Sequence, residues 1–390
     1  MSKLDELIAE LCPDGVEFVT VEEICDITRG RVMSKNYLRE NTGVYPVYSS
    51  QTANNGVFGY INTFDYDCES VTWTTDGANA GSVFYHINEK FSITNVCGLL
   101  RVKNNELVST KFLFYVLQVY AKKYVNDGMG NPKLMSNVMA RISVPLPPLA
   151  VQQEIVRILD NFTELTAELT AELTARRKQY EYYRDLLLTF GDEVPRVAID
   201  DLFNIRNGYT PSKSNKEYWE NGVIPWFRME DIRENGRILS NALQHVSINA
   251  VKGRPFPANS IIISTSATIG EHALIQTEFL ANQRFTILSL KNEYQDVNIK
   301  YLFYYCYILG EWCKNNLTLG HFASVDMVAF KKFRIPLPPL KEQERIVAIL
   351  DRFDALCNDL TSGIPAEIEA RQKQYEYYRD KLLSFKEVTA

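Results

Sequence analysis

The stretch PLPPL at 145–149, continued by QEIVRILD at 153–160 and RKQYEYYRD at 177–185, decides the fold, because the chain contains it twice. The second copy gives PLPPL at 336–340, ERIVAILD at 344–351 and QKQYEYYRD at 372–380. A repeat of this length does not arise from composition alone. Internal duplication is therefore the first property that the sequence establishes.

Each copy predicts a long helix that begins after the proline-rich head, because Pro is tolerated only in the first helical turn. Apolar residues then recur three or four positions apart, which gives a narrow seam like that of a coiled coil. A solvated spacer or a zipper between two molecules would show the same pattern, but the duplication favours a partner helix in the same chain. We expect helix packing through Leu165, Leu169, Leu173, Tyr180, Tyr183, Tyr375 and Tyr378.

The centres of the two copies differ. The first carries the tandem repeat Thr-Ala-Glu-Leu at 166–169 and 170–173, which is rich in helix formers. The second has Gly363 and Pro365 in the corresponding region. Because both residues disfavour a helix interior, we expect a kink or a short break there.

Two globular segments precede the two helices, and we name them domain one (16–144) and domain two (191–335). Their openings correspond, as VTVEEI in one and VAIDDL in the other, and so do the later runs KFLFY and KYLFY. Short alternating runs at 71–74 and 261–264 predict strands, and apolar runs at 111–120 and 300–309 predict buried helices. The sequence therefore predicts an α+β protein with two mixed α/β domains, each followed by a long helix.

A short amphipathic helix is predicted over 3–11, before the turn Pro13-Asp14-Gly15. We expect this helix to complete the helical bundle near the C-terminus. The predicted organisation is an N-terminal helix at 1–15, domain one at 16–144, a central helical region at 145–190, domain two at 191–335 and a C-terminal helical region at 336–390.

Composition places the chain among soluble proteins. Its 390 residues, 46% hydrophobic, allow two or three domains with real cores. It has no long uncharged apolar run and no secretory leader, so we expect a cytoplasmic location and no membrane partner. Seven scattered Cys and four His argue against a disulfide framework or a zinc site. The net charge of −6 argues mildly against a generic polyanion binder.

Motifs for catalysis are missing from the sequence. It contains neither the phosphate loop GxxxxGK[ST], nor the metalloprotease motif HExxH, nor GxSxG. The Pro-Pro pairs follow Leu146 and Leu337, where an adenine methyltransferase would need Asn or Asp before Pro-Pro to bind the amino group. We therefore expect no catalytic residues, no metal site and no cofactor site in this chain.

The repeated helices carry a resemblance to a known family. Two dissimilar domains, each followed by a PLPPL…QQEIVRILD…RKQYEYYRD-type helix, resemble the specificity subunit of a type I restriction-modification system. The tandem Thr-Ala-Glu-Leu repeat resembles the type IC subclass. In domain two, GYTPS at 208–212, IPW at 224–226 and Asn282-Gln283 match patterns common in the target recognition domains of that family. Domain one departs from the pattern after Gly30.

The resemblance implies a function and a set of partners. The subunit would be non-catalytic, and each domain would read one half of a bipartite, asymmetric site in double-stranded DNA. The two long helices would pack as an antiparallel coiled coil, giving a pseudo-twofold repeat that sets the half-site spacing. Two methyltransferase (modification) subunits would dock on the helices and use S-adenosylmethionine, and two restriction (motor-nuclease) subunits would use ATP and magnesium.

Candidate DNA contacts are polar residues at predicted loop tips, since base edges are read by hydrogen bonds and phosphates bind Lys, Arg, hydroxyl groups and helix N-termini. The ordinary role of a Ser, Thr or Asn at such a place is a turn or a helix cap, and that of a Lys or Arg is a surface charge. In domain one the candidates are Arg29, Arg31, Lys35, Ser50, Gln51, Asn54, Thr74, Asn79 and Lys103. In domain two they are Lys213, Arg228, Asp231, Ser264, Thr265, Ser266, Asn282, Gln283 and Arg284.

Two other function classes remain open at this stage. One is a scaffold whose domains bind proteins or glycans, with the helices serving dimerisation. The other is an enzyme with a site that motif searches miss. Specific binding to a bipartite duplex separates the first from DNA recognition, and turnover by the isolated chain would reveal the second.

Overall fold

The computed structural model describes residues 2–318, 323–359 and 361–388. The chain divides into two compact units: unit 1 is Met1–Glu168 with Ala370–Ala390, and unit 2 is Leu169–Glu369. Each unit holds one mixed α/β domain together with parts of the long helices. Within the described ranges, no helix combines the length and apolar character that a membrane span requires.

Unit 1 opens with a capped helix and continues with short strands. Ser2 and Asp5 form a capping box that starts the first helix. The elements up to the first long helix are α1 (Lys3–Leu11), β1 (Glu17–Thr20), α2 (Val21–Ile24), β2 (Cys25–Arg29), α3 (Lys35–Glu40), β3 (Thr42–Tyr48), β4 (Val57–Ile61), β5 (Tyr66–Asp67), β6 (Ser70–Thr74), β7 (Val83–His86), β8 (Lys90–Ile93), β9 (Cys97–Val102), α4 (Thr110–Tyr120), α5 (Ser136–Ala140), β10 (Ser143–Leu146) and α6 (Leu149–Leu187).

Domain one contains two four-stranded sheets. The first has the order β2-β9-β6-β7 and is antiparallel throughout. The second has the order β4-β3-β8-β5, in which β3 and β8 run parallel. Helix α4 covers the first sheet, and its Phe112, Leu113 and Tyr115 join the core around Trp73. The predicted strand at 71–74 and buried helix at 111–120 are thus confirmed.

The two ends of the chain meet in unit 1. Leu4 of α1 belongs to the same core as Tyr375 and Leu383. Beside it, Val16 donates its N–H to the carbonyl of Lys386 at 2.9 Å, and Val388 donates to the carbonyl of Val16 at 3.0 Å. Helix α1 therefore shares a core with residues from the last part of the sequence.

Unit 2 repeats this plan with different loops and continues to the C-terminal helix. Its elements are β11 (Arg196–Ala198), α7 (Ile199–Leu202), β12 (Phe203–Asn207), β13 (Ile224–Phe227), α8 (Met229–Asn235), β14 (Ile238–Leu239), β15 (His245–Val246), β16 (Ser260–Ser264), β17 (His272–Ile275), β18 (Leu280–Ala281), β19 (Phe285–Leu290), α9 (Ile299–Asn315), β20 (Leu317–Thr318), β21 (Ser324–Val325), α10 (Met327–Lys332), β22 (Arg334–Pro336), α11 (Leu340–Asn358) and α12 (Ile364–Leu382), of which α12 passes into unit 1.

The sheets of domain two correspond to those of domain one. The larger has the order β12-β19-β16-β17-β14, and the smaller has the order β15-β13-β18 with β13 parallel to β18. Helix α9 packs on the larger sheet, as α4 does in unit 1, with Tyr301, Tyr304 and Leu309 fully buried. In each unit a separate two-stranded ladder, β1–β10 or β11–β22, ends at the proline-rich head of the following long helix.

The long helices behave as the repeat predicts. Helix α6 runs unbroken through both Thr-Ala-Glu-Leu units. The second copy is interrupted between Asn358 and Ile364, where Asp359 accepts hydrogen bonds from the backbone of Thr361 and Ser362, so the predicted break is confirmed. Close to it, the segment of α6 in unit 2 runs antiparallel to α11, because Tyr183 stacks on Phe353 while Arg177 lies beside Cys357.

The repeated tyrosines divide into three roles. The first of each motif, Tyr180 or Tyr375, is buried. The third stacks on another helix: the ring centroids of Tyr183 and Phe353 are 5.7 Å apart, and those of Tyr378 and Phe162 are 5.6 Å apart. The second, Tyr182 or Tyr377, is exposed. Among the leucines predicted to pack, Leu169 and Leu173 are partly buried, whereas Leu165 is exposed. The apolar seam of α6 is therefore narrow.

Each domain is tied to its own long helix by a matched clamp. In unit 1, Asp160 accepts hydrogen bonds from Lys111 (2.7 Å) and from the hydroxyl of Tyr115 (2.6 Å). In unit 2, Asp351 accepts from Lys300 (2.7 Å) and from the hydroxyl of Tyr304 (2.7 Å). The conserved geometry explains why the sequence repeats these Lys, Tyr and Asp positions: they fix the buried helix of each domain to the long helix.

Candidate nucleic-acid interface

One end of each domain is built on the same set of backbone hydrogen bonds, which we name the strand-end frame. In domain one, the frame joins the ends of β2, β3 and β6 to the residues just before β9. Its bonds run from Gly30 to Cys97 (3.3 Å), Thr94 to Tyr48 (2.9 Å), Thr75 to Val96 (3.1 Å) and Leu134 to Thr75 (2.9 Å), with the N–H donor named first in each case.

Domain two repeats the frame bond for bond. Its bonds run from Gly208 to Phe285 (2.9 Å), Asn282 to Phe227 (3.1 Å), Thr265 to Arg284 (3.0 Å) and Val325 to Thr265 (3.0 Å), again with the donor first. Both frames bring loops from four separate parts of the chain to one edge of the sheets. Polar residues gathered this way on rigid elements are the arrangement that recognition of a large ligand requires.

In domain two, the frame opens onto a cavity of about 610 Å³. Six of the residues that line it were predicted from the sequence or lie in the GYTPS loop: Thr210, Lys213, Arg228, Asn282, Gln283 and Arg284. The other lining residues are Lys216, Trp219, Glu220, Trp226, Met229, Glu230 and Gln244. Four basic and two acidic side chains give this cavity a positive balance, although the whole chain is acidic.

Two tryptophans form the base of this cavity. The rings of Trp219 and Trp226 meet edge to face, with centroids 5.0 Å apart. Trp226 donates its indole N–H to the carbonyl of Tyr209 (3.1 Å), and Trp219 donates to that of Ser212 (3.0 Å). Both indoles therefore hold the 209–212 loop in place.

Arg228 follows β13 and points along the tryptophan base. The Cζ atom of its guanidinium lies 5.5 Å from the centroid of the Trp226 ring. The Nε atom is shielded from solvent and makes no hydrogen bond, and the nearest carboxylate oxygen, on Glu230, is 3.9 Å away. The side chain is thus oriented by packing on an aromatic face, while its donors are not used up by an acceptor within the domain.

The residues just before β19 also line the cavity. The side-chain oxygen of Asn282 accepts the N–H of Arg284 at 3.0 Å, which makes a tight turn. This turn leaves the side chains of Gln283 and Arg284 exposed. Gln283 accepts a hydrogen bond from the hydroxyl of Thr210, so the GYTPS loop and this turn are directly linked.

Domain one has a different set of side chains at its frame. Arg29 donates to the carbonyl of Asn95 (2.7 Å) and to the hydroxyl of Thr75 (3.1 Å). Arg31 donates to Asp65 (3.0 Å) and to the hydroxyl of Tyr37 (3.1 Å). Both predicted arginines therefore brace loops. Of the remaining candidates at this end, Lys35 and Asn54 are exposed, and Ser50, Gln51 and Asn79 are partly buried.

Four predicted contact residues have structural roles instead. Thr74 and Ser264 are buried at equivalent strand ends, where each donates its hydroxyl to carbonyls of the loop that follows. Asp231 is also buried, and it accepts the N–H groups of Arg228 and Leu243, both at 2.6 Å. These three side chains are inaccessible to a ligand because they are buried. The sequence suggested them as contacts because turns and caps use the same residue types as base readout.

Lys103 is the fourth. It follows β9 and therefore lies at the opposite end of that six-residue strand from the frame, roughly 20 Å away. Its ammonium donates to the carbonyl of Glu22 at 2.6 Å, and Lys291 in domain two donates to Asp200 at 2.7 Å in the same way. In domain two, Thr265 and Ser266 stay at the frame but are partly buried, and the hydroxyl of Thr265 pairs with that of Thr286 at 2.9 Å.

Several frame residues were missed from the sequence. Ser49, Thr94 and Asn95 occupy the frame of domain one, and Lys216, Glu230 and Gln244 line the cavity of domain two. Aligning the two domains to each other supplies the missing signal for the first group. The parallel pairs Tyr48–Ile93 and Phe227–Ala281 are equivalent, so the residues that follow each of these strands occupy matching places.

Comparison with known proteins follows the same division of the chain. The family model described as the type I restriction modification DNA specificity domain matches residues 13–176 and 192–370. The type I restriction enzyme EcoprrI specificity subunit of Escherichia coli is 60% identical over 206 residues, which cover 50% of this chain and 51% of that protein. The putative type I specificity subunit S.MpnORF507P of Mycoplasma pneumoniae is 35% identical over 94% of this chain and 96% of that protein.

Solved structures show the same fold at low sequence identity. A chain from a structure of a type I restriction-modification system aligns with a TM-score of 0.62 at 17% identity, covering 96% of this chain and 98% of that one. The S subunit from M. genitalium aligns with a TM-score of 0.55 at 15% identity, covering 95% and 96%. Both the family match and the long relative span the repeated helices and the two frames, and the chain belongs to the family of type I restriction-modification DNA specificity subunits.

Proposed function

We propose that this chain is the non-catalytic reader of a bipartite DNA site, in which each strand-end frame binds one half-site. The observation that carries the proposal is the pairing of an identical backbone frame with different side chains in the two domains. A frame kept in both copies fixes where the reading loops stand. Different side chains on that frame would give two different half-sites, and hence an asymmetric target.

Charge supports DNA as the ligand of domain two. Its cavity carries Lys213, Lys216, Arg228 and Arg284 against two glutamates. Protein–DNA contacts go largely to phosphates, and Lys and Arg provide most of that affinity.

The repeated helices offer equivalent surfaces for partner subunits. Tyr182 and Tyr377 occupy the same place in the two RKQYEYYRD-type motifs, and both are largely exposed, at 65% and 63%. Exposed aromatic side chains at duplicated positions suit two copies of one partner. We assign these surfaces to two methyltransferase subunits that carry S-adenosylmethionine; two restriction subunits that use ATP and magnesium would complete the assembly.

The proposal is tested with the full chain expressed together with the modification subunits of its own system, in a host free of other adenine methyltransferases. Methylation-site mapping on genomic DNA should give one bipartite motif with an unspecific gap. Native mass spectrometry of the purified complex should give two modification subunits per chain. A continuous motif, or the absence of any motif, contradicts the proposal.

A further inference from the structure

The equivalence of the two frames assigns each recognition position in domain two a counterpart in domain one. Phe227 ends β13 and Tyr48 ends β3, and the carbonyls of these two residues accept the same frame bond. Arg228 and Ser49, which come next, therefore occupy equivalent positions. Three further positions correspond in the segments just before β19 and β9: Asn282, Gln283 and Arg284 match Thr94, Asn95 and Val96, in that order. The two domains therefore present different chemistry at the same four places.

In domain two, these places offer guanidinium groups held ready to donate. Arg228 lies on the Trp226 ring with its side chain 30% exposed, and its shielded Nε lies 3.9 Å from the Glu230 carboxylate, so the rest of the guanidinium is the part that can reach a ligand. Arg284 stands on the turn closed by Asn282 and projects from it. A planar guanidinium presents two parallel donors, and in the major groove only guanine shows two adjacent acceptors, O6 and N7, that match them.

In domain one, the same places offer no unused cation. The hydroxyl of Thr94 donates to that of Ser49 at 2.9 Å. A neutral pair therefore stands where domain two has Arg228. The nearest arginine, Arg29, is bound to the carbonyl of Asn95 and to Thr75. What remains is the side-chain amide of Asn95 beside the apolar Val96. An amide pairs with N6 and N7 of adenine, and an apolar group contacts the methyl of thymine.

Resting on the proposed function, we propose that the two frames read bases of different classes. Domain two reads at least one G·C pair in the major groove through Arg228 and Arg284, and domain one reads A·T pairs at the equivalent positions through Asn95 and Val96. The difference follows from which side chains stand on one shared backbone frame.

The experiment compares methylation motifs for the wild-type chain, Arg228→Ser and Arg284→Ser, each in complex with its modification subunits. Ser is chosen at 228 because domain one carries it at the matching position. Each variant should relax one G·C position by roughly 5- to 150-fold, the loss expected for one bidentate contact, and both positions should lie in the same half-site. The other half-site should stay unchanged.

The control is Arg334→Ser, which removes an arginine of domain two that lies on β22 and contacts neither the frame nor the cavity. It should leave the whole motif intact. A second measurement compares how the wild-type complex and the arginine variant bind a duplex with 7-deazaguanine at the relaxed position, a base that lacks N7. Affinity should fall for the wild type and not for the arginine variant that relaxes that position.

The possible results separate the two proposals. Relaxation at an A·T pair, an equal loss at every site with the motif unchanged, or insensitivity of the wild type to 7-deazaguanine would each overturn the assignment of guanine to domain two, while leaving bipartite reading intact. A wild-type chain that directs no bipartite methylation would overturn the proposed function itself.

Discussion

His272 is a buried imidazole at the start of β17, next to the frame of domain two. Its Nδ1 lies 3.2 Å from the carbonyl of Gly270 and so carries the proton, while Nε2 has no hydrogen-bond partner. Burial, followed by the positive charge of Arg237, lowers the pKa of this imidazole from its usual 6.5 to about 3. The folded protein therefore keeps His272 neutral across a pH range in which the unfolded chain protonates it.

The sign of the resulting pH dependence is fixed. Between pH 6.5 and about 3 the unfolded state binds the extra proton, so stability falls as the pH falls through this range. At pH 5 the loss is roughly 2 kcal/mol, which is the effect of 1.5 pH units on one group. We expect the His272→Asn variant, which keeps a donor toward Gly270, to lose less stability than the wild type between pH 7.5 and pH 5.

Urea unfolding of unit 2 at the two pH values measures this difference. His245→Asn serves as the control, since His245 is only partly buried and bonds to Asn241. Equal losses of stability for the wild type and His272→Asn would contradict the prediction.

The clamp residues give a second prediction at this scale. Tyr115→Phe and Tyr304→Phe each remove one hydroxyl that donates to a carboxylate of a long helix. A hydrogen bond to a charged group contributes ~1.5–3 kcal/mol, so each variant should lower the free energy of unfolding by about 1–3 kcal/mol. Thermal unfolding of the full chain measures the loss. The exposed Tyr182→Phe should have almost no effect, and an equal effect in all three variants would refute the clamp.

The candidate contact residues differ in how well the sequence alone predicts their exposure. Arg228, Gln283 and Arg284 were predicted as contacts because donors and acceptors at loop tips suit base readout, and all three line the cavity. Thr74 and Ser264 were chosen by the same rule, yet both are buried. A hydroxyl that closes a turn and a hydroxyl that meets a ligand occupy the same kind of sequence, so only burial separates them.

At the scale of elements, helix α6 is the feature that the repeat predicts best. It spans 39 residues without interruption, and the Thr-Ala-Glu-Leu units lie in its interior. The break between α11 and α12 was equally predictable, because Gly363 and Pro365 lie two positions apart in the second copy. Loop positions were less predictable, since the parallel pairing of β3 with β8 depends on distant parts of the chain.

An added Thr-Ala-Glu-Leu unit tests α6 as the spacer of the two half-sites. Four residues lengthen a helix by ~6 Å and turn it only about 40° beyond one full turn. Because B-DNA rises ~3.4 Å per base pair, we expect the same two half-sites with a gap longer by one or two base pairs. Methylation-site mapping measures the gap directly.

A two-residue insertion at the same place is the matched control. It would rotate everything beyond it by about 200°, and we expect it to abolish modification. If the four-residue insertion changes the half-sites themselves, or leaves the gap as it was, α6 does not set the spacing.

At the scale of the whole molecule, the chain consists of two copies of one plan, and each copy has its own strand-end frame. We predict that the half-sites are exchanged independently. Replacing residues 21–142 by the equivalent segment of a relative retains the β1–β10 ladder and should change one half-site only. Replacing 199–333 retains the β11–β22 ladder and should change the other. Methylation motifs that change in both halves after one exchange would show that recognition is not modular.

The meeting of the two chain ends in unit 1 has a consequence for biosynthesis. Unit 2 is one continuous segment, whereas the core of unit 1 includes Tyr375 and Leu383 from the last part of the chain. A ribosome that adds ~5–20 residues per second needs about 10–40 s to pass from the first part of unit 1 to the second. Throughout that time the core around Leu4 and Tyr115 lacks the side chains that close it. The core of unit 1 therefore closes only after the whole of unit 2 has been synthesised.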